Sequence, residues 1–333
     1  MAAGDGAQPF SFPTLAQEKH AGKGWEKLSD LSDKDKPWDR HRGNAQDVAG
    51  TYATAWEGWL RRYGERVEAC SPWLGFQQGA NPETGELALT LKRAYFCRVR
   101  HCPVCQWRRS LMWKARFLQA LPDIEKQAPA ARWIFLTLTR RNVPVEGLRN
   151  ELTDMGQAWN RLRLRREFRD VLGWVRTVEI TRGKDGNAHP HYHVLMLVKS
   201  TYFKPGHFVP TAEWSRVWRE VGRLDYDPIC DARAVRTRGE NSIRDAVAET
   251  LKYSVKASDM KADPAWFLEL TRQTFRTRAI ASGGLLKDVF RDEAGQEDLL
   301  KPDGGEEEAA TDEAPELRFT WSNEKRDYRR RRA

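Results

Sequence analysis

The sequence lacks the apolar segments that membrane and secreted proteins carry. Its 333 residues contain no run of about 18 apolar residues, so the sequence predicts no transmembrane helix. Residues 1–12 show no basic region followed by an apolar core, which argues against a secretory signal peptide. These absences predict a cytoplasmic protein with no membrane partner.

Cysteine is scarce, and its distribution argues against a disulfide framework. The chain has five cysteines, and Cys97, Cys102 and Cys105 lie within one stretch of nine residues. An odd number with one tight cluster is typical of a metal site. A structural zinc ion needs four ligands, and the fourth is Cys70 or His101. Cys70 is preferred, because His101 stands directly beside Cys102, where its geometry is awkward. A group of buried free thiols is the alternative.

The charge balance is basic, with 56 lysines and arginines against 47 aspartates and glutamates and a net charge of +9. A basic balance favours an anionic partner, because phosphate neutralisation supplies most non-specific affinity for nucleic acid. Next to the cysteine cluster, Arg108, Arg109 and Lys114 alternate with Trp107 and Trp113. We expect the three basic side chains to contact DNA. A solvated helix face that packs through its tryptophans is the alternative.

Composition divides the chain into four parts. Residues 1–50 are rich in Gly, Ala, Asp and Lys without an apolar period, and we predict that they are disordered. Residues 51–130 form a helical, zinc-binding module, and residues 131–290 form the main domain. Residues 291–333 are an acidic linker with a basic tail, and both are predicted to be flexible.

The main domain alternates predicted strands and helices. Residues 132–139, 174–181 and 191–198 are rich in β-branched and aromatic residues, which indicates strands. A turn at residues 183–186 joins the second and third strands into an antiparallel hairpin. The apolar spacing of residues 148–162 predicts an amphipathic helix. Further predicted elements are helices at residues 52–67, 212–221, 242–257 and 264–276 and an edge strand at 229–237.

Three histidines alternate along the third strand. Because side chains two apart in a strand point to one face, His189, His191 and His193 line one side of it. Glu179 lies on the preceding strand and completes a set of two histidines and one carboxylate if the strands pair. Such a set binds a divalent metal ion and leaves positions open for a phosphate oxygen. Histidine-triad nucleotide hydrolases, in which a histidine is the nucleophile, fit the same stretch.

A tyrosine follows in the predicted helix at residues 242–257. Glu249, Tyr253 and Lys256 stand at i, i+4 and i+7, so a continuous helix places them on one stripe. The opposite face carries the apolar residues Ile243, Val247, Leu251 and Val255. A phenol becomes a competent nucleophile beside a metal-polarised phosphate and a lysine such as Lys256. The alternative is a surface helix with one tyrosine.

These motifs resemble, in order, those of the plasmid rolling-circle replication initiators, a branch of the HUH endonucleases. The matching segments are FLTLT at 135–139 with Asn142, HPHYHVLMLV at 189–198 and ETLKYSVK at 249–256. FCRVRHCPVCQWRR at 96–109 resembles the cysteine-rich segment of one initiator subfamily, and GLLKD at 284–288 resembles its end. The resemblance covers about residues 65–290, and its short motifs are specific in combination.

The resemblance implies an α+β fold. Its central antiparallel sheet of about five strands is flanked by helices, as in the RRM-like HUH endonucleases, and an N-terminal cysteine-rich zinc module precedes it. Residues 131–290 are then the catalytic domain. His191, His193 and Glu179 hold Mn²⁺ or Mg²⁺, and Tyr253 attacks single-stranded DNA at the plasmid double-strand origin. The resemblance further implies that a 5′-phosphotyrosine forms and that the free 3′ hydroxyl serves a host polymerase, with a host helicase as a further partner. It also implies that Glu249 activates the water that ends the round.

Three alternatives remain open at this stage. A transposase or mobilisation relaxase of the HUH type would use the same chemistry. A histidine-triad nucleotide hydrolase would need neither Tyr253 nor a zinc module. A zinc-dependent DNA-binding protein without catalytic activity would bind DNA and cut no strand.

Overall fold

Two antiparallel sheets of five strands each organise the chain. The computed structural model describes residues 24–80, 87–236, 242–252, 255–290, 299–300 and 316–332. These ranges contain nine α-helices and ten strands. In chain order the elements are β1 (Trp25–Lys27), α1 (Leu28–Leu31), α2 (Pro37–Ala53), α3 (Gly58–Glu68), β2 (Trp73–Ala80), β3 (Leu87–Ala94), α4 (Pro103–Gln127), β4 (Arg132–Thr139), α5 (Leu148–Leu162), β5 (Val171–Arg182), β6 (Ala188–Val198), α6 (Thr211–Gly222), β7 (Cys230–Ala234), α7 (Ile243–Thr250), α8 (Ala257–Ala262), α9 (Pro264–Thr274), β8 (Ile280–Gly284), β9 (Glu316–Ser322) and β10 (Asp327–Arg331). The predicted α+β class is confirmed.

The first sheet, here called the histidine sheet, has the strand order β7-β4-β6-β5-β8. The three predicted strands are confirmed as β4, β5 and β6, and all neighbouring strands are antiparallel. The predicted edge strand is present as the shorter β7. Strand β8 was not predicted, because its sequence IASGG has few residues typical of strands.

Helices cover both faces of the histidine sheet. On one face, Leu195 and Leu197 pack with Phe117 of α4 and Val247 of α7. Residues with the opposite parity in β6, including Tyr192, belong to a larger core with α5, α6 and α9. The predicted alternation along β6 is therefore confirmed, and the histidines lie on the side of α4 and α7.

The second sheet, here called the terminal sheet, was not predicted. Its strand order β1-β10-β9-β2-β3 brings both ends of the described chain together. Tyr328 of β10 is fully buried and donates a hydrogen bond from its hydroxyl to the carbonyl of Ser71 at 2.6 Å. The prediction of a flexible tail is wrong for residues 316–332, because its alternate residues Phe319, Trp321 and Tyr328 are apolar and buried.

The prediction of disorder at the N-terminus is also wrong for residues 24–50. This segment contains β1, α1 and most of α2, whose Trp38 and Val48 are buried. The composition of this segment is mostly polar, so the sequence pattern did not indicate that its few apolar side chains complete the core under the terminal sheet. Residues 1–23 and the acidic segment 301–315 lie outside the described residues.

Two predicted helices have different limits in the structure. The helix predicted at residues 52–67 is divided between α2 and α3, with a break at residues 54–57. The helix predicted at residues 242–257 ends at Thr250, and a separate helix, α8, begins at Ala257. The helices predicted at 148–162, 212–221 and 264–276 are confirmed as α5, α6 and α9. Within the described ranges, no helix is long and apolar enough to cross a bilayer.

Candidate active site

Strand pairing places one carboxylate against two imidazoles. Strands β5 and β6 stay paired down to Arg182 and Ala188, and this register sets Glu179 opposite His191 and Thr177 opposite His193. The Oε2 atom of Glu179 lies 3.1 Å from Nε2 of His191 and 2.8 Å from Nε2 of His193. The three ligand atoms lie within 4.8 Å of one another. The structure thus brings together the set that the sequence predicted.

The group is buried, and its electrostatics favour an ionised carboxylate. Burial acts to raise the pKa of Glu179, but hydrogen bonds from His191, His193 and Lys252 outweigh it and hold that pKa well below its usual value. Burial lowers the pKa of His193, which favours the neutral imidazole. Metal ligation requires an ionised carboxylate and neutral imidazoles, so both states suit a cation.

The donor set fits a hard or borderline divalent ion. Three nitrogen atoms converge on one carboxylate oxygen, since Nζ of Lys252 also lies 2.7 Å from Oε2 of Glu179. The contact with the Lys252 ammonium group shows that the ionised carboxylate of Glu179 can be paired with a cation at this position. On the other side of His193, the Oγ1 atom of Thr137 lies 3.4 Å from Nδ1 and orients the ring.

His189 lies at the margin of this group. It pairs with Thr181 near the end of β5, and its ring centroid is 5.3 Å from that of His191. It is not among the three residues whose ligand atoms converge. The three histidines therefore share a face, but only two of them meet the carboxylate.

Lys252, which the sequence analysis missed, is the lysine at this site. Its Nζ atom lies 2.5 Å from Oε1 of Glu249 as well as 2.7 Å from Glu179, so it bridges the two carboxylates. Glu249 in turn lies 3.8 Å from Nε2 of His193. The only available sequence signal was the spacing of three between Glu249 and Lys252 at a helix end.

The predicted stripe of Glu249, Tyr253 and Lys256 is wrong as a helical arrangement. Helix α7 ends at Thr250, with Leu251 as its C-cap, and Lys256 is the exposed residue before α8. Val255 belongs to the core of the opposite sheet face, whereas Leu251 packs with α7, which explains why no continuous helix joins them. Tyr253 itself lies outside the described residues.

The four predicted cysteines form a second cluster. Their sulfur atoms lie within 4.8 Å of one another, with Cys105 at 3.7 Å from both Cys70 and Cys97. A tetrahedron with metal–sulfur bonds of about 2.3 Å has edges of about 3.8 Å. The spacing therefore fits one tetrahedral ion.

The surroundings of the sulfur atoms suit thiolates. The backbone N–H of Arg98, whose φ is 56°, donates to the sulfur of Cys105 at 3.3 Å, and that of Cys97 donates to Cys70 at 3.5 Å. Cys102 and Cys105 stand at the N-terminus of the 25-residue helix α4, where the helix dipole favours negative charge. His101 lies outside the cluster and has its Nε2 atom 3.0 Å from Oγ1 of Thr274.

The predicted DNA contacts on α4 separate into two kinds. Arg108 is only 4% exposed and donates from its guanidinium to the carbonyls of Leu299 and Leu300. Its prediction as a DNA contact is wrong, because the side chain is enclosed and stacks over Trp38 at 5.2 Å. Arg109 and Lys114 are partly exposed. Arg109 also lines a small cavity with Lys252 and Thr177, beside the carboxylate–imidazole group.

Sequence comparisons identify the relatives of this chain. The sequence profile of the replication protein family matches residues 88–329. A protein named Protein rep from Lentilactobacillus hilgardii is 37% identical over 234 residues, which cover 67% of this chain and 73% of that protein. Protein rep from Streptococcus pneumoniae is 35% identical, covering 68% of this chain and 70% of its own length. A relative from Staphylococcus aureus named Replication protein is 32% identical, and the match covers 63% of this chain and 95% of that protein.

No solved structure matches the chain. The HUH assignment of the histidine sheet consequently remains a prediction from the resemblance, whereas the family is shown by sequence. The profile match spans most of the chain, and it includes both the cysteine cluster's last three members and the carboxylate–imidazole group. The chain belongs to the replication protein family, as its resemblance to plasmid replication initiators predicted.

Proposed function

We propose that this protein nicks and rejoins one DNA strand at a plasmid origin, with Tyr253 as nucleophile, and so starts rolling-circle replication. The observation that carries the proposal is the convergence of His191, His193 and Lys252 on Glu179. Tyr253 is the next residue in the chain after Lys252. The position of Lys252 in this group supports the assignment of the neighbouring tyrosine to the same site.

Each described residue has a distinct task in this proposal. His191, His193 and Glu179 would hold a divalent ion such as Mn²⁺ or Mg²⁺, which polarises the phosphate and neutralises charge that develops during attack. Thr137 orients the His193 ring through Nδ1. The ammonium group of Lys252 stabilises negative charge on the phosphate oxygens. Its hydrogen bonds to Glu179 and Glu249 fix its position.

The reaction is a transfer of one phosphoryl group. The phenolic oxygen of Tyr253 bonds to phosphorus, the bond from phosphorus to the 3′ oxygen breaks, and the 3′ oxygen leaves as a hydroxyl. The phenol loses one proton and the leaving 3′ oxygen gains one, so the protons balance. No oxidant or reductant is needed. Rejoining reverses the same steps. A host polymerase extends the 3′ hydroxyl, a host helicase opens the duplex, and Glu249 takes a proton from water when the round ends.

The remaining features support DNA as the substrate. Arg109 and Lys114 lie on α4, and Arg109 lines the same small cavity as Lys252, so basic side chains continue from the proposed reacting phosphate onto α4. The four cysteines would bind zinc, which fixes the N-terminus of α4 and so positions these basic side chains.

Supercoiled DNA provides the test. The purified protein is incubated with Mn²⁺ or Mg²⁺ and a supercoiled plasmid that carries its own origin. We expect open circles with protein attached at the 5′ end, and no cleavage of the same plasmid without the origin. The matched variants His191→Ala and His189→Ala should differ in nicking activity: we expect His191→Ala to be inactive and His189→Ala to be active. Binding without cleavage in every metal would instead support a zinc-dependent DNA-binding protein.

A further inference from the structure

A second concave surface lies on helix α3, away from the carboxylate–imidazole group. Its cavity of about 640 Å³ is lined by three aromatic and two cationic side chains: Trp59, Arg62, Tyr63, Arg66 and Phe275. The volume falls within the range of small-ligand sites. We propose that this cavity, here called the α3 cavity, binds one unstacked base of single-stranded DNA.

The three aromatic side chains that line the α3 cavity pack against one another. The ring centroid of Trp59 is 5.4 Å from that of Tyr63 and 5.2 Å from that of Phe275, with Phe275 tilted by 47°. Phe275 is 39% exposed, although it is a large apolar residue. The guanidinium groups of Arg66 and Arg276 lie over the rings of Tyr63 and Phe275, at 5.7 and 5.2 Å from the ring centroids. A base that displaces these side chains would stack on the aromatic faces whatever its sequence.

The charge on this face selects an anionic ligand. At 100° per residue, the four lining residues of α3 fall in one stripe about 100° wide, which holds two arginines and no acidic residue. Glu65 and Glu68 of the same helix lie outside that stripe. Arg62 and Arg66 are exposed, and Arg66 also donates to the carbonyl of Cys97, which ties the cavity to the cysteine cluster. Two guanidinium groups beside aromatic rings repel a cationic ligand and can donate hydrogen bonds to the oxygens of a phosphodiester.

A short segment connects the α3 cavity to the proposed nicking site. From Phe275 the chain runs to Ile280, which pairs with Thr177 of β5, and Ala279 accepts a hydrogen bond from Val178 at 2.9 Å. Ala279 and Ile280 line the small cavity with Lys252. Arg276 and Arg278 of this segment are exposed. Arg100 anchors it by donating to the carbonyls of Thr274 and Thr277.

The length of this segment limits where the base lies on the DNA. Five residues span at most about 18 Å, which is roughly five stacked nucleotides at about 3.4 Å each. Ile280 pairs with Thr177, two residues from Glu179, which adds about 12 Å to this span. The α3 cavity would therefore hold a base within about ten nucleotides of the cleaved phosphate. This position rests on the proposed nicking function, whereas the binding of a base does not.

Single strands with and without bases test the inference on the full-length protein. The probes are fluorescein-labelled oligothymidylate of about 20 nucleotides and an abasic strand of equal length, with the Kd of each measured by fluorescence anisotropy. We expect the wild type to prefer the strand with bases by about fivefold or more, as one stacked base provides. Phe275→Ala should lose most of this preference. Trp56→Ala is the matched control, because Trp56 is 81% exposed and does not line the cavity.

Separate controls test the contribution of the arginine charge and the folding of each variant. Arg62→Gln should weaken binding of both strands about equally, by roughly twofold to fivefold, since it removes a phosphate contact. Zinc content and unfolding temperature check that each variant folds. If Phe275→Ala does not fold, wild-type protein should still quench 2-aminopurine placed in the strand.

The inference is overturned if Phe275→Ala keeps the wild-type preference, or if the wild type shows no preference and no quenching. Neither probe is cut, so a failure of the nicking account leaves these results unchanged. Conversely, origin nicking with an unchanged base preference in Phe275→Ala would overturn the α3 cavity alone.

Discussion

The Nε2 atom of His193 lies 2.8 Å from Oε2 of Glu179, although 14 positions separate the two residues in sequence. The short connection between Arg182 and Ala188 allows β5 and β6 to pair along their full length, and that register creates the contact. A metal ligand set on two paired strands is held more rigidly than one on loops. The predictions below follow from this geometry.

Removal of either converging imidazole should abolish nicking without unfolding the protein. His191→Ala and His193→Ala each delete a nitrogen that meets Glu179, and we expect nicking to fall by more than about 100-fold. His189→Ala should retain most of the activity, since its ring lies outside the converging group. Open-circle formation in Mn²⁺ measures this. Equal losses in all three variants would favour a histidine-triad hydrolase.

Substitution of the two lysines that are close to Tyr253 in sequence should have different effects on nicking. Lys252→Met removes the ammonium group that bridges Glu179 and Glu249, and we expect nicking to slow by about 100-fold. Lys256→Met, which changes an exposed side chain before α8, should have little effect. Single-turnover cleavage of an origin oligonucleotide gives both rates. A larger loss in Lys256→Met would contradict the assignment of Lys252 and make Lys256 the lysine that acts at the site, as the sequence predicted.

Much of the histidine sheet was predictable from sequence, but the terminal sheet was not. Strand β6 carries its own alternation of histidines with Tyr192 and Val194, so local pattern was sufficient. The terminal sheet pairs Trp25 with Arg331, and no local pattern can indicate a pairing between residues 306 positions apart. The end of α7 at Thr250 was missed because Leu251 and Val255 continue the apolar period but pack into different cores.

The cysteine cluster should bind about one zinc per chain. Cys70→Ser should lose zinc and soluble expression, because it opens a site whose four sulfur atoms are buried together. Cys230→Ser is the matched control, since this cysteine lies on β7 and outside the cluster. Elemental analysis by mass spectrometry measures the zinc content. Retention of a full equivalent of zinc in Cys70→Ser would contradict the assignment, and His101→Ala would then be the variant to examine.

Glu249 should act after the first nick. Its carboxylate is partly exposed and is 3.8 Å from His193, farther than Glu179. Glu249→Ala should therefore still nick the origin, but it should fail to release the enzyme, and single-stranded products longer than one unit should accumulate. Gel analysis of replication products measures this. If Glu249→Ala blocks the first nick completely, then Glu249 is a metal ligand or the base for the tyrosine.

The closure of the terminal sheet should contribute measurably to stability. Tyr328→Phe deletes the hydroxyl that donates to the carbonyl of Ser71 inside the core. We expect the free energy of unfolding to fall by about 1–2 kcal/mol, because a buried acceptor loses its partner. Urea denaturation measures the change. An unaltered free energy of unfolding would show that this hydrogen bond does not stabilise the sheet.

The identity of the nucleophile is the central claim, and one measurement addresses it directly. The protein is incubated with Mn²⁺ and an origin strand labelled on the 3′ side of the cleavage site, and the covalent adduct is digested and mapped by mass spectrometry. We predict that the 5′ phosphate is attached to the peptide containing Tyr253, and that Tyr253→Phe binds the strand normally but forms no adduct. An adduct of undiminished yield in Tyr253→Phe, or one mapped to another side chain, would contradict the account.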